Sequence, residues 1–311
     1  MAEISIQELN RLATSELEKT ISEVDAAYHG KIEEIADTVK KSGNIRIILL
    51  AGPSGSGKTT TANFLSDAIK RRGIKSFVIS LDDFYRSSTD PAYPTNERGE
   101  RDYECVGALD IDLIINTLEK IADGEEFSLP KYDFKVGACV KNTPYEPLGD
   151  GCVVIEGLHA MNPRIYDPLP HDKVLKMFIS VSTNVTDNGE IILSGKKLRF
   201  VRRLVRDSIY RGADAYRTLG MWQGVLDGEI KYLYPFRDLA DVTMNTFHAY
   251  ELSLMKPFVA KLLTDEVAKS SEYAAIVKAT YDKSVAIDQS HVSDYSLLRE
   301  FIPGGVYESL Y

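Results

Sequence analysis

The sequence has few cysteines, no long apolar run and no excess of positive charge. Its three cysteines, Cys105, Cys139 and Cys152, stand far apart in 311 residues and form no CxxC or Cys/His cluster. Neither a disulfide framework nor a zinc site is therefore indicated. No apolar stretch reaches the length of a membrane span, and the N-terminus lacks the basic and apolar regions of a secretory signal. We expect a cytoplasmic, reduced protein that does not contact membranes.

The charge balance argues against nucleic acid as a partner. The formal net charge is −9, and one Arg-rich stretch near residue 200 is the local exception. Nucleic-acid-binding proteins usually carry a basic face, and none stands out here. The length allows a substantial core, either as one large domain or as a domain with appendages.

One dense motif stands out against these absences. Residues 52–59 read GPSGSGKT and fit the pattern of a phosphate-binding loop. An apolar run, 45–51, precedes it, and apolar residues at helical spacing follow it. Both flanks count against a chance match of a Gly/Ser-rich turn. Backbone N–H groups and the helix dipole would converge on oxyanions there.

The loop indicates a nucleoside triphosphate. Lys58 would add a charge reaching the β- and γ-phosphates, and Thr59 a hydroxyl for Mg²⁺. The residues expected to bind ATP are Gly52, Ser54, Gly55, Ser56, Gly57, Lys58, Thr59 and Thr60.

Strand-like and helix-like segments alternate from residue 45 onward, which predicts an α/β fold. A parallel sheet covered by helices on both faces follows from that order, with ligands at the carboxyl ends of its strands. The predicted strands are 45–51, 76–81, 152–156, 173–181 and 241–246; the predicted helices are 58–72, 108–122, 197–211 and 249–268.

The remaining segments suggest the domain organisation. Residues 1–43 are predicted as an N-terminal helical extension that splits near Gly30, 44–268 as the main domain, and 269–311 as surface helices and a tail. The extension could pack on the main domain or on a partner subunit. Two long polar segments, 85–107 and 123–151, are predicted as binding loops. Residues 187–189, DNG, resemble a hairpin turn.

Acidic residues follow two of the predicted strands. Asp82 and Asp83 come after the second strand, where a carboxylate beside a phosphate loop can accept a proton from an attacking hydroxyl or hold Mg²⁺. An Asp-Asp turn that caps the next element fits the local pattern equally well. Glu156 ends the third strand and is a candidate second Mg²⁺ position, a weak signal by itself.

Basic residues crowd the predicted helix 197–211. They are Lys197, Arg199, Arg202, Arg203, Arg206 and Arg211. A face of one sign repels itself unless it meets anions, so a lid over a triphosphate (about 195–218) is one interpretation. A solvated face balanced by Asp207 and Asp214 is the other. The neighbouring phosphate loop favours the lid.

Two further side chains are weaker candidates. Tyr132, within PKYDF at 130–134, could stack on a ring of the substrate or simply anchor a loop. His159 could donate to substrate, although a lone histidine is more often structural.

Taken in order, these motifs resemble a known family. They are GPSGSGKTT from residue 52, LDDFYR from 81, PKYDF from 130, IEGL from 155, and RRLVRD from 202 followed by an Arg-Gly pair. The series resembles the uridine kinase branch of the phosphoribulokinase/uridine kinase family, and bacterial uridine kinase-like proteins most of all. The likeness covers residues 45 to about 250.

The resemblance implies a role for each matching residue. Asp82 would act as base on a 5′-hydroxyl near Mg²⁺, with Thr59 and Glu156 as the other Mg²⁺-linked residues. Glu104 would hold ribose hydroxyls, and Tyr132 would contact the base. Further matches are Tyr85 and Arg203 as substrate contacts, and Lys58, Arg203, Arg206 and Arg211 as groups that stabilise the transferring phosphoryl group.

Three positions depart from the family pattern. Gly137 stands where typical members have the histidine that reads the pyrimidine. Cys105-Val106 replaces a His-Pro pair, and Ala213 replaces an arginine. The phosphate-handling residues are thus complete, whereas those that read a base are not.

The sequence therefore predicts an ATP- and Mg²⁺-dependent kinase of a small nucleoside-like acceptor, with the 5′-hydroxyl of uridine or cytidine first. Alternatives are another small hydroxyl metabolite, such as a modified nucleoside or a sugar phosphate, and an ATPase or regulatory protein without an acceptor. No guanine-reading Asn-Lys-x-Asp motif is present. Whether the protein forms a homo-oligomer is left open.

Overall fold

The computed structural model describes residues 2–95 and 99–310. The strands are β1 (Ala2–Ser5), β2 (Ile47–Ala51), β3 (Ser76–Ser80), β4 (Phe127–Asp133), β5 (Ala138–Tyr145), β6 (Cys152–Glu156), β7 (Val174–Ser180), β8 (Thr183–Asp187), β9 (Glu190–Leu193) and β10 (Val242–Asn245). The helices are α1 (Ile6–Ser15), α2 (Leu17–Ser42), α3 (Lys58–Arg71), α4 (Ile111–Asp123), α5 (Pro163–Tyr166), α6 (Gly195–Arg211), α7 (Ala215–Tyr232), α8 (Glu251–Leu262), α9 (Asp265–Ser270) and α10 (Glu272–Asp282).

The central sheet has five parallel strands in the order β10–β7–β2–β6–β3. Successive residues of the middle strand β2 point to opposite faces. Ile47 and Leu49 pack in one hydrophobic cluster, whereas Ile48 and Leu50 pack in another. The predicted α/β fold with a five-stranded parallel sheet flanked by helices is confirmed. This sheet places the ends of β2, β3 and β6 at one edge.

The predicted elements of the main domain agree with the structure within a few residues, with one exception. The predicted helix 249–268 is two helices, α8 and α9, separated near Leu263. Helix α7 was missed because it contains three glycines at four-residue spacing, a composition that weakens helix propensity.

The N-terminal segment breaks at a different residue from the one expected. The prediction of a split at Gly30 is wrong, since α2 runs through it and the chain bends at Glu16 instead. Ile32, Ile35 and Val39 of α2 pack in the same cluster as the sheet. The N-terminal segment therefore packs on the main domain, which was one of the two arrangements predicted.

The predicted binding loop 123–151 is largely a β-hairpin made of β4 and β5. The prediction missed it because Pro130 and Pro144 discourage a strand assignment. Each of these strands has one neighbour, and an edge position tolerates proline. In the other predicted loop, 85–107, residues 96–98 lie outside the described part of the chain.

The predicted turn at 187–189 is confirmed. It joins the antiparallel strands β8 and β9 of a second sheet, whose third member is β1. Asn188 and Gly189 both have positive φ, at 50° and 83°. Consecutive positive φ values match the twist of a tight hairpin.

The C-terminal segment is not the surface tail that was expected. Leu297, Leu298, Phe301 and Ile302 are fully buried. One hydrophobic cluster contains residues from all three predicted segments, 1–43, 44–268 and 269–311. The chain therefore folds around a shared core. Among the described residues, no helix is both long and apolar enough to cross a membrane.

Candidate active site

The phosphate-binding loop lies between β2 and α3, enclosed by the rest of the protein. Gly55 and Gly57 have positive φ, at 73° and 91°. A Cβ at Gly55 would lie 2.6 Å from the carbonyl oxygen of Arg199, and one at Gly57 would lie 2.5 Å from Leu297 Cδ1. These two positions therefore require glycine both for conformation and for space. Within the loop, the Lys58 ammonium donates to the carbonyl oxygen of Pro53 at 3.3 Å.

Helices α6 and α7 hold the loop through a buried ion pair. Arg199 forms a bidentate pair with Glu229 at 2.7 and 2.9 Å, and both side chains are about 1% exposed. Arg199 also donates to the Ser54 carbonyl at 2.8 Å, while the Ser54 N–H donates to Glu229 Oε1 at 3.0 Å. One pair thus fixes both backbone groups of a single loop residue.

Two more contacts support the neighbouring residues of the loop. Arg202, paired with buried Glu251, donates to the Gly55 carbonyl at 3.3 Å. The Thr246 hydroxyl donates to the Ser56 carbonyl at 2.8 Å. Arg199 and Arg202 therefore bind the backbone of the loop and do not line the cleft. Helix α6 also packs in the core. The structure does not test whether residues 195–218 move as a lid, so the lid stays a prediction.

A cleft with about 200 Å³ of open space lies in front of the loop. It brings together residues that are far apart in sequence. Of the predicted site residues, those lining it are Ser54, Gly55, Lys58, Thr59, Asp82, Tyr85, Glu104, Glu156, Arg203, Arg206 and Arg211. Gly52, Ser56, Gly57 and Thr60 belong to the loop without lining the cleft, and Tyr132 lies outside its lining.

The two adjacent aspartates after β3 have different surroundings. Asp82 lines the cleft. Asp83 turns to the hairpin instead, where it accepts the Tyr132 N–H at 3.3 Å and pairs with Lys131 at 3.1 Å. Asp83 therefore anchors the hairpin and does not cap the next element, as the second interpretation expected. Asp82 lines the cleft, and its role stays a prediction.

Asp82 and Glu156 form an acidic pair in the cleft. Burial raises the pKa of Glu156 to about 7, with Lys58 opposing the rise and Asp82 adding to it. Ser80 donates its hydroxyl to Glu156 Oε1 at 2.9 Å. Asp82 is exposed to the cleft, yet the surrounding protein displaces water and raises the pKa of its carboxyl as well.

This pair, with the Thr59 hydroxyl, has the donor chemistry that suits Mg²⁺. Hard carboxylate and hydroxyl oxygens fit the ion, and it usually keeps several waters while binding one or two carboxylates and substrate phosphates. Two carboxylates with raised pKa values in one cleft are also a place where a divalent cation relieves repulsion. Among the described residues, no group of three or more His, Cys, Asp or Glu is placed to hold a metal ion.

Three arginines form the basic wall of the cleft around one buried carboxylate. Asp207 pairs with Arg203, Arg206 and Arg211 at 3.1 to 3.2 Å. Arg203 also donates to the Ser54 hydroxyl at 2.9 Å, and burial lowers the pKa of its guanidinium. Asp207 thus neutralises part of this group, whereas Asp214 caps α7. Net positive charge is left facing the cleft.

Another part of the cleft wall is acidic and partly aromatic. Burial raises the pKa of Glu104, whose side chain packs over Gly228 of α7, where a Cβ would lie 2.9 Å from that of Glu104. The Glu104 carbonyl oxygen lies 2.9 Å from His159 Nε2. Because a carbonyl only accepts, Nε2 carries the proton. Burial lowers the pKa of His159 to about 4, so the imidazole is neutral.

Aromatic rings continue this wall onto the hairpin. Tyr85 lies 5.8 Å from Tyr132 and 5.7 Å from Phe134, measured between ring centroids. Phe134 is 66% exposed although it contacts both rings. An exposed aromatic beside a cleft offers a flat apolar surface to a ligand.

The hairpin explains the missing histidine at position 137. Gly137 has a φ of 71°, and a Cβ there would lie 2.4 Å from the Ser88 hydroxyl. The Ser88 N–H donates to the Gly137 carbonyl at 2.7 Å. The turn thus leaves no room for a side chain, and the departure from the family pattern is part of the local fold.

Sequence reasoning missed the residues that support the loop from a distance. Glu229, Thr246 and Glu300 all contact its backbone or the start of α3. None sits in a motif with the loop, since 175 to 240 residues separate the contacts in sequence. For the Glu229–Arg199 pair, the sequence offers one indication. Glu229 is an acidic residue 30 positions after Arg199, far enough along the chain to lie on a neighbouring helix.

Comparisons with known proteins agree with the motifs. The model of the Phosphoribulokinase / Uridine kinase family matches residues 47–253. A uridine kinase of Schizosaccharomyces pombe is 28% identical over 191 residues, which cover 61% of this chain and 36% of the relative. A uridine kinase of Deinococcus deserti is 28% identical over 205 residues, covering 65% and 88%.

A solved structure gives a weaker likeness. D-glycerate 3-kinase of Cryptococcus neoformans has a TM-score of 0.36 at 17% identity, covering 81% of this chain and 88% of that one. A score of that size bears on neither fold nor function. The chain spans little more than a third of the S. pombe relative. The family match extends over most of the α/β core and includes the phosphate loop, so this chain belongs to the phosphoribulokinase/uridine kinase family.

Proposed function

We propose that this protein transfers the γ-phosphate of ATP to the 5′-hydroxyl of a nucleoside, with uridine and cytidine as the first acceptors to test. The observation that supports it most is the meeting of three groups in one cleft. A phosphate loop, an acidic pair and three arginines line the same space. A carboxylate that lines the cleft with the loop can receive the proton of an attacking alcohol, the step that distinguishes a kinase from an ATPase.

In this proposal the donor phosphates rest on the loop and the start of α3. Backbone N–H groups and the helix dipole attract the oxyanions, and Lys58 adds a full charge. Arg203, Arg206 and Arg211 would stabilise the negative charge of the transferring group. Thr59, Asp82 and Glu156 would hold Mg²⁺, which neutralises phosphate charge when it is bound.

Asp82 is the proposed base. It lines the cleft beside the loop, and it is the one of the two adjacent aspartates not engaged by the hairpin. Its carboxylate would take the proton of the attacking hydroxyl as the phosphoryl group moves. Burial raises the pKa of the Asp82 carboxyl, and the charge of nearby Lys58 opposes that rise and so favours the ionised form that the role requires.

The acceptor would lie between Glu104 and the aromatic wall. The Glu104 carboxylate can accept hydrogen bonds from the vicinal hydroxyls of a ribose. Tyr85, Tyr132 and Phe134 offer rings for a base to stack on. Stacking is tolerant of base identity, and Gly137 supplies no reader of the pyrimidine edge. We therefore expect broad acceptance of nucleosides, modified ones included.

A panel of acceptors tests this proposal. Purified protein is incubated with ATP, Mg²⁺ and one acceptor at a time, with coupled detection of ADP and mass spectrometry of products. Acceptors include uridine, cytidine, adenosine, 5′-deoxyuridine and ribose 5-phosphate. The proposal expects ADP and a nucleoside monophosphate with uridine or cytidine, and neither with 5′-deoxyuridine. ADP release at the same rate without an acceptor would favour an ATPase. Turnover of ribose 5-phosphate alone would favour a sugar phosphate kinase.

A further inference from the structure

The C-terminal segment closes one side of the phosphate loop. Residues Leu297–Glu300 form a short 3₁₀ helix in which Leu297 packs against Gly57. Arg299 fixes the segment by donating to the carbonyl oxygens of Gln289 and Ser293 at 2.9 and 3.2 Å. The segment is therefore held in place by specific contacts.

Glu300 carries a carboxylate from this segment to the start of α3. Its Oε2 accepts the N–H of Thr60 at 3.1 Å. Thr60 is the third residue of α3, and the first N–H of this helix with a partner inside the turn is that of Thr61, bonded to the Gly57 carbonyl. Glu300 therefore accepts one of the first-turn N–H groups that make a helix N-terminus attract anions.

The charge on Glu300 is poorly compensated. Glu300 is 3% exposed and lines the cleft, and its ion pair with Arg206 is long, at 4.0 Å. Glu229, the other carboxylate bonded to this region, has a close bidentate arginine. Glu300 thus places a fixed negative charge where the donor's phosphates must approach.

A fixed negative charge penalises phosphate ligands according to their own charge. Mg²⁺ cancels part of the charge of a triphosphate, so the repulsion is weaker for the magnesium complex than for the free nucleotide. Loss of the Thr60 donor costs both forms alike. The discrimination between the two forms therefore depends on the charge of Glu300 and not on its hydrogen bond.

We propose that Glu300 is a specificity-determining residue of the donor half of the cleft, which selects the magnesium complex of a nucleoside triphosphate over the free polyanion. The proposal rests on the proposed function for the identity of the donor. It concerns binding alone, so it can be tested without any acceptor and without turnover.

The test is the affinity for ATP with Mg²⁺ and with EDTA, in the wild type and in Glu300→Gln. Glutamine keeps the size and an oxygen that accepts the Thr60 N–H but removes the charge. Titration calorimetry gives both dissociation constants. Trp222, the one tryptophan of the chain, is a second readout, because its ring lies 5.7 Å from the Arg199 guanidinium that holds the loop. We expect Glu300→Gln to lower the dissociation constant of free ATP about tenfold and that of Mg-ATP about two- to threefold.

Two further variants keep the result interpretable. Glu300→Asp retains the charge but shortens the side chain, so the ratio of the two constants should stay near that of the wild type. Glu308→Gln removes a charge from an exposed residue of the same C-terminal segment and should change neither constant. Should Glu300→Gln lose its fold, as judged by circular dichroism, the Glu300→Asp ratio still decides. A fall of that ratio to one would contradict the charge argument.

The outcomes separate this proposal from the proposed function. Equal or weaker binding of both forms by Glu300→Gln overturns it and leaves Glu300 as a cap of α3, while the kinase assignment stands. Failure of the wild type and of every variant to bind ATP in either form overturns both. The proposal is supported if the ratio of the dissociation constant of free ATP to that of Mg-ATP falls in Glu300→Gln and stays near the wild-type value in Glu300→Asp. This holds even if no acceptor is found.

Discussion

The two halves of the cleft are built in different ways. In the donor half, each of Ser54, Gly55 and Ser56 has a backbone group bonded to a buried side chain from another element. In the acceptor half, Phe134 and the tip of the hairpin are exposed, and the β4–β5 sheet has only two strands. The donor half is thus fixed in advance, and the acceptor half is held by fewer contacts. This difference suits one shared donor and a range of acceptors.

The largest effect is expected from removing Asp82, the proposed base, which lines the cleft between the two halves. Asp82→Asn should lower turnover by about 10²- to 10⁴-fold, because the attacking hydroxyl loses its proton acceptor. Binding of ATP should persist, since the loop contacts are intact, and the loss of one proposed Mg²⁺ ligand should weaken Mg-ATP binding far less than it lowers turnover. Steady-state ADP release and calorimetry measure the two quantities.

The neighbouring aspartate supplies the control. Asp83→Asn alters a contact to the hairpin and should keep most of the turnover, with its main effect on the acceptor KM. Similar losses in Asp82→Asn and Asp83→Asn would show that the pair acts through structure.

Removing Arg199 should destabilise the donor half, because Arg199 holds the loop through its pair with Glu229. Arg199→Met leaves buried Glu229 unpaired and should lower the free energy of unfolding by about 3–5 kcal/mol. Arg211→Met, at an arginine that is more than half exposed, is the matched control and should cost less than about 1 kcal/mol. Urea denaturation measures both. A loss below 1 kcal/mol in Arg199→Met would mean that the pair does not hold the loop.

The acidic pair gives a prediction in pH. The pKa of Glu156 in the folded protein is about 7, above its ordinary value of 4.5. The ionised form is therefore disfavoured by folding, and the resulting destabilisation is full above pH 7 and absent below about pH 4.5. Without ligands, Glu156→Gln should be more stable than the wild type by about 3 kcal/mol at pH 8.

That gain should shrink as the pH falls towards 5, because the wild-type carboxyl then becomes neutral. Urea denaturation at pH 5 and 8 checks it. Ser80→Ala, which removes the hydroxyl that donates to Glu156, should move the stability in the opposite direction at pH 8. A gain that is equal at both pH values would contradict the raised pKa.

The smallest effect is expected in the acceptor half. Phe134→Ala removes an exposed ring beside Tyr85 and Tyr132 and should raise the nucleoside KM about three- to tenfold, the size of a lost stacking contact. The ATP dissociation constant should not change. Val136→Ala, at an exposed residue of the same hairpin, is the control. An effect on ATP would show that the two halves are not separate.

The same contrast explains what the sequence could predict. The five strands, α3 and the loop follow from local periodicity and one contiguous motif, so they were predicted within a few residues. The hairpin was missed because its prolines are tolerated only at sheet edges, a fact of topology and not of local sequence. Helix α7 was missed because glycines hide its pattern.

The supports of the site were the hardest to predict. Arg199 and Arg202 share the spacing of the arginines that face the cleft, and only the packing of α6 tells the two sets apart. The contacts of Glu229 and Glu300 join residues 175 and 240 positions apart. Long-range pairing of this kind leaves no periodic signal in a single sequence.

In the proposed function, the donor half delivers phosphate to an alcohol in the acceptor half. The most direct measurement is ADP release by the wild type in Mg-ATP, with uridine and with 5′-deoxyuridine. We predict ADP release that depends on uridine, with uridine 5′-monophosphate formed in equal amount, and background release with the deoxy analogue. Equal release with both nucleosides would contradict it.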